Sequence, residues 1–173
     1  MKQPRSQPEF SRPLQADRVP KAGSDERLTA EPAECRALAA RMKIPAIHAL
    51  SAEIRATPWR GGGIKLEGHI TADLEQVSVI SLEPFRETVS LPVSRYFLPP
   101  GAAAEHQAED DADPIRDGWI DLGEVVAETL ALDLEPYPRK AGEAFAEHIE
   151  DAPAPGPDSA GSPFAVLARR KDG

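Results

Sequence analysis

Few side chains in this sequence have the types and spacing for chemistry, and they are scattered. The four histidines, His48, His69, His106 and His148, stand in four unrelated contexts. His69 shares the polar side of an alternating run with Thr71 and Asp73, which suggests a general base. Residues four apart on an extended strand lie about 13 Å apart along it, too far for a direct His–Asp dyad. Glu109, Asp110, Asp111 and Asp113 offer oxygen ligands to a divalent cation. They lack the alternating acidic order, the glycine and the closing glutamate of a calcium loop. The single cysteine, Cys35, excludes an internal disulfide and a cysteine zinc cage within one chain. Gly61-Gly62-Gly63 is not followed by the Lys-Ser/Thr pair that holds a nucleotide, so it reads as a turn. H-E-x-x-H, G-x-S-x-G and Walker A patterns are absent from the sequence. These residues predict no catalytic site, no metal site and no cofactor.

Charge sets the next limit. The total is −9, but its distribution matters more. Residues 1–60 carry 11 basic against 7 acidic side chains, residues 61–100 carry 3 against 5, and residues 101–173 carry 6 against 17. The acidic part repels a phosphate backbone, so any RNA contact is expected elsewhere. The amino-terminal third supplies Arg5, Arg12, Arg18, Lys21 and Arg27. No apolar run reaches the roughly 18 residues of a membrane helix, and Met1–Pro20 has no apolar core of a signal peptide. A cytoplasmic protein without a membrane partner is the expectation.

The elements that must position these residues are legible from periodicity. Residues 1–9 read as a flexible arm, 10–146 as one α+β domain and 147–173 as a Pro/Ala/Gly-rich tail. That tail ends in the apolar patch Phe164–Leu167 followed by Arg169, Arg170 and Lys171. Phe10–Leu14 and Asp25–Thr29 read as short strands. Glu31-Pro32 opens a helix whose apolar residues Cys35, Leu38, Ala39 and Met42 fall on one stripe, with Pro45 as its stop. Leu50–Ala56 and Ile64–Glu75 alternate strictly between apolar and polar residues, the pattern of half-buried strands. A third strand starts at Phe85, its apolar side carrying Val89, Leu91, Val93 and Phe97, and Pro92 places it at an edge. Residues 99–116 read as a mobile acidic loop. Asp117-Gly118 is a turn before a second helix, capped by Asp121 with Glu124 reaching back and Ile120 stapled to Val125. Pro136 and Pro138 close it. The fold class predicted is α+β: an antiparallel meander of about four to six strands, one face covered by two helices, with disordered termini.

Gly68-x-Ile70-x-Ala72, then Ser78-x-x-Ser81-Leu82-Glu83-Pro84, then Gly118-x-Ile120-Asp121-Leu122-Gly123-Glu124 together resemble the YceD family. That family is named for accumulation of large-subunit ribosomal RNA. Phe10-Ser11-Arg12-Pro13, Leu38-Ala39-Ala40-Arg41 and Ser162–Ala168 resemble its alphaproteobacterial branch, so the likeness spans about residues 10–170. It implies a non-enzymatic bacterial factor in large-subunit biogenesis, with relatives in chloroplasts. In many relatives a C-x-x-C precedes Leu-Glu-Pro, and another cysteine follows the second helix. Here those positions hold Ser78, Ser81 and about Pro138. Serine hydroxyls do not grip zinc as thiolates do, so a metal role is not carried over.

The expected partner is large-subunit rRNA or its precursor, bound through Arg12, Arg18, Lys65 and His69, or else a ribosomal protein. In that second reading the acidic carboxyl-terminal part docks a basic ribosomal or regulatory protein without touching RNA. Gly68, Ser78, Ser81, Leu82, Glu83, Pro84, Asp121, Leu122 and Gly123 carry the family pattern without a role that the sequence assigns.

Overall fold

Long alternating strands need one dry face, and in the computed structural model, which describes residues 8–102 and 112–143, two helices provide it. The elements are β1 (Pro13–Gln15), β2 (Ser24–Thr29), α1 (Pro32–Met42), β3 (Ala46–Trp59), β4 (Gly63–Val77), β5 (Pro84–Leu98), β6 (Asp113–Pro114), β7 (Trp119–Asp121) and α2 (Leu122–Asp133). The main sheet runs β2-β3-β4-β5-β6, and β1 pairs with β7 in a separate two-stranded sheet. Strands β2 to β5 form the expected antiparallel meander. Ala52, Ile54, Ala56, Leu66, Ile70, Ala72 and Leu74 are buried, each from the side that alternation assigned to the core. The helices close over them with Cys35, Leu38 and Ala39 from α1 and Leu122, Val125, Val126 and Leu130 from α2.

Several boundaries differ from the sequence reading, each for a local reason. The first strand is Pro13–Gln15, and Phe10 lies in the core. Helix α1 ends before Pro45, at Lys43, whose left-handed backbone (φ 58°) lets Ile44 N–H donate to the Ala39 carbonyl at 3.1 Å. The stretch 99–116 is not all loop. Its end forms β6, which pairs parallel to Phe97 and Leu98, and Asp113 there binds Arg95 at 2.5 Å. Strands β2 to β5 are thus antiparallel to one another, and β6 adds a short parallel pair at the β5 edge. Asp117-Gly118 makes a tight turn with both φ values positive, 54° and 82°, the geometry that matches strand twist. It joins Arg116 to Trp119 by a reciprocal pair of backbone bonds.

Asp121 does cap α2, accepting from Gly123 N–H at 3.0 Å and Glu124 N–H at 3.3 Å. The second half of the expected capping box is replaced, because Glu124 pairs with Arg41 of α1 at 3.1 Å. A cross-helix ion pair wins over the local return bond. β5 is an edge strand along most of its length, as Pro92 requires, since β6 covers only Phe97 and Leu98. The arm before residue 8, the segment 103–111 with His106 and Glu109 to Asp111, and the tail with His148 and Phe164–Leu167 lie outside the described residues.

Candidate nucleic-acid interface

The side of the main sheet away from the helices is polar and open. Its residues line up in rows set by register. Arg27, Glu53, His69 and Pro92 form one row across β2 to β5, and Thr29, Ser51, Thr71 and Ser90 form the next. Charges along the middle of this face neutralise one another. Arg27 lies 3.4 Å and His69 3.8 Å from the same Glu53 carboxylate. Arg55 binds Asp25 at 2.7 Å, Arg86 binds Asp73 at 2.5 Å, and His48 meets Glu75 at 2.9 Å. His69 therefore faces Glu53 and not Asp73, whose own partner is Arg86. A hydrolytic dyad is not assembled.

One end of this face is different. Lys65 lies between Thr57 on β3 and Tyr96 on β5, and Trp59 lies one alternate position beyond Thr57. Strand pleating points Trp59, Lys65 and Tyr96 to the open side together. The Trp59 and Tyr96 rings approach to 4.6 Å between centroids at a 44° tilt. Arg60 sits over the Trp59 ring at 5.6 Å, and Lys65 sits over Tyr96 at 5.7 Å. Lys65 also binds Glu67 at 2.7 Å, and that hydrogen bond raises its pKa. Arg60 is exposed and pairs with no described carboxylate. The turn Pro20–Gly23 packs on the same end, because Gly23 abuts Ala56 and Thr57. It brings the exposed Lys21 there, with exposed Arg18 just upstream.

Sequence reasoning missed this cluster. Trp59 and Tyr96 each fall on the polar parity of their strands, a signal present in the sequence. Their meeting across 37 positions depends on the register Lys65↔Tyr96, which no local pattern encodes.

Arg12 sits elsewhere and is already engaged. Its guanidinium bonds both oxygens of Glu34, at 2.8 and 2.9 Å, reaches the Thr29 carbonyl, and lies 4.6 Å over the Phe10 ring. The Arg12 hydrogen bond lowers the Glu34 pKa below the ordinary 4.5 and raises that of Arg12.

Several family-pattern residues sit at tight points of the fold. Gly68 and Gly123 mark close backbone approaches: a Cβ would come within 2.0 Å of the Glu53 carbonyl oxygen and 2.4 Å of the Phe10 carbonyl oxygen respectively. Ser78, fully buried, ties a knot at the far end of the sheet. Its hydroxyl accepts from Ile80 and Ser81 N–H and donates to Glu143, while Val79 N–H donates to the Pro138 carbonyl at 2.9 Å. Ser78 N–H closes the loop on Glu83, with Leu82 left-handed at φ 60° and Pro84 starting β5. Ser78, Ser81 and Pro138, the positions that the resemblance set against cysteines, thus come together around Glu143 and Val79. Two hydroxyls committed to hydrogen bonds and one carboxylate do not fit zinc, which wants sulfur or imidazole.

This knot gives a pH prediction. Ser78, then Ser81, lower the Glu143 pKa below its ordinary 4.5, as Arg12 does for Glu34. A lowered carboxyl pKa stabilises the fold above the unfolded value and loses that share as pH falls through the folded one. Thermal melting should therefore fall between pH 5 and pH 3, and Ser78→Ala should flatten that limb while costing about 1–2 kcal/mol at pH 7. An unaltered acid limb in Ser78→Ala would refute the Glu143 assignment.

A cleft of about 810 Å³ is lined by Arg41, Arg95 and Arg116 against Glu9, Asp113, Asp121, Glu124 and Glu128. Its charges are mostly paired: Arg41 holds Glu9 and Glu124, and Arg95 holds Asp113 and Glu128. Cys35 is buried, and burial pushes its thiol pKa up, which makes it a packing residue and a poor nucleophile. Among the described residues no group of three or more His, Cys, Asp or Glu is placed to hold a metal ion. No described helix is long and apolar enough to cross a membrane.

Neither a curated protein nor a solved structure matches the chain significantly. A family model does, over residues 66–169, from Leu66 near the start of β4 through the Ser78 knot and the α2 cap to beyond the described residues. The amino-terminal motifs around Phe10 and Leu38 fall outside that match. With more than half of its length matched to the model described as large ribosomal RNA subunit accumulation protein YceD, the chain belongs to the YceD family.

Proposed function

We propose that this protein supports large-subunit rRNA accumulation by binding RNA on the open face of its main sheet, without catalysing a reaction. The observation that carries the reading is the uncompensated end of that face. Arg60 supplies positive charge that the paired middle of the sheet lacks, and exposed Lys21 and Arg18 lie on the segment whose turn abuts Thr57 at Gly23. Farther along the same face, about 20 Å from Lys65 by strand rise, the Thr29–Ser51–Thr71–Ser90 row offers neutral hydroxyl donors to phosphate and sugar oxygens. Of the four residues expected from sequence, Lys65 and His69 lie on this face, and Arg18 is exposed on the segment that leads to the Lys21 turn. His69 is beside Glu53, and Arg12 lies elsewhere, spent on Glu34.

The test is salt dependence. A double variant Arg18→Ala, Arg60→Ala should weaken binding to large-subunit rRNA fragments and reduce the slope of log K against log salt by about 1–2. An unchanged slope would sink the assignment.

A second reading has one observation of its own. The 810 Å³ cleft carries five carboxylates against three arginines, a setting suited to a basic ribosomal protein. In-cell crosslinking separates the two readings, since this one predicts protein partners with no rRNA enriched above background.

A further inference from the structure

We infer that Trp59 and Tyr96 form a stacking platform for the unpaired bases of single-stranded RNA, with Arg60, Lys65 and Lys21 taking the adjoining phosphates; this rests on the RNA-binding reading and narrows it to one end of the sheet and one kind of RNA. Three observations point the same way. The two rings are neither buried in the core nor committed to it. They project from the open face and touch only at a 44° tilt, so neither ring covers the other's full face. Core packing of the sheet is complete without them, since Ile64 and Phe97 beside them are buried on the opposite side. The cations are close by: Arg60 lies over one ring and Lys65, also bound to Glu67, over the other, so a base that takes a ring face from either cation leaves a positive charge beside its phosphate.

The preference for single strands follows from which surface a nucleic acid can present. A duplex hides base faces in its stack and offers only phosphates and groove edges. Unpaired bases expose faces to aromatic side chains, and such stacking tolerates any base identity. The net acidity of the chain works in the same direction. With three cations at this end, Lys65 among them already bound to Glu67, long-range attraction to a rigid, highly charged duplex is weak. Stacking then has to supply affinity that phosphate contacts cannot.

The chain has two tryptophans, and Trp119 is exposed on β7, in the separate small sheet. In full-length protein carrying Trp119→Phe, indole fluorescence reports Trp59 alone. Titration with a ten-nucleotide single-stranded RNA should quench that signal, and a duplex RNA of the same composition should bind more weakly with little quenching. Trp59→Ala and Tyr96→Ala should each weaken single-strand binding by about 5- to 150-fold, while Trp59→Phe and Tyr96→Phe retain most of it. The quench is measured on the intact ring pair, so it stands even where an alanine variant loses structure. Single-strand binding without quenching, and unchanged in folded Trp59→Ala and Tyr96→Ala, would overturn the platform and leave RNA binding in place. Absence of binding to either RNA would overturn the RNA reading itself. Equal quenching by polyglutamate would overturn the platform in favour of an acidic protein segment.

Discussion

Gly68→Ala should destabilise the fold by at least about 3 kcal/mol, read as a lower urea midpoint and a melting temperature lower by about 6–12 °C. The reason is placement. Gly68 sits in the middle of β4, paired with Ile54 on one side and Val93 on the other. A Cβ there would come within 2.0 Å of the Glu53 carbonyl oxygen and 2.9 Å of the Glu53 carbonyl carbon and Ile54 Cα. All three are backbone atoms of a central strand, so no side-chain rotation makes room. Relief requires β3 and β4 to part, which breaks ladder hydrogen bonds and opens the layer holding Ile54, Leu66 and Ile70. Gly118→Ala is the control. That glycine has φ +82° but nothing within 4 Å of an added Cβ, so it pays only left-handed strain of about 1–2 kcal/mol. If both substitutions cost the same, close approach is not what keeps glycine at 68. If Gly68→Ala folds normally and loses RNA binding, the residue acts at the interface instead.

This contrast also shows what the sequence made legible. The alternation from Ile64 to Glu75 predicted a strand, its buried face and its wet face, because strand period is a local property of the chain. The Asp121 cap was legible for the same reason: its bonds reach two and three residues away. What failed was pairing over distance. Glu124 looks like a capping-box partner until Arg41, 83 positions earlier, is brought beside it by packing of the two helices. Arg12 looks like a free cation until Glu34 closes on it. Asp113-Pro114 carries no strand signal at all, and it becomes β6 only because Phe97 and Leu98 present an edge. The interface suffered most, since its defining pair, Trp59 and Tyr96, exists only through the register of three strands. Local chemistry names candidate residues, and long-range geometry decides which are spent on holding the fold.

Asp121→Ala should cost about 2–4 kcal/mol, because one carboxylate joins two parts of the chain. Its Oδ1 accepts from Gly123 and Glu124 N–H, capping α2, and from Arg12 N–H at 2.8 Å; its Oδ2 accepts from the Ser11 hydroxyl at 2.6 Å. Loss of the cap alone is worth about 1 kcal/mol. The Arg12 and Ser11 donors, part-buried and left without a partner, add about 1–3 kcal/mol. Asp121→Asn keeps a carbonyl oxygen for the backbone donors, and its amide can donate to the Ser11 hydroxyl, so it should recover more than half of the loss. A double-mutant cycle with Ser11→Ala isolates the clamp from the cap, with a coupling of about 0.5–1.5 kcal/mol expected. A cost below 1 kcal/mol for Asp121→Ala would mean that β1 is held by its pairing with β7 and not by this carboxylate. The outcome bears on the interface, because β1 leads through the turn Ala16–Arg18 to Lys21. Releasing the clamp lets that basic segment leave the sheet end where Arg60 and Lys65 stand. Asp121→Ala should therefore weaken RNA binding under conditions where the variant remains folded, and Arg18→Ala should have no further effect in that background.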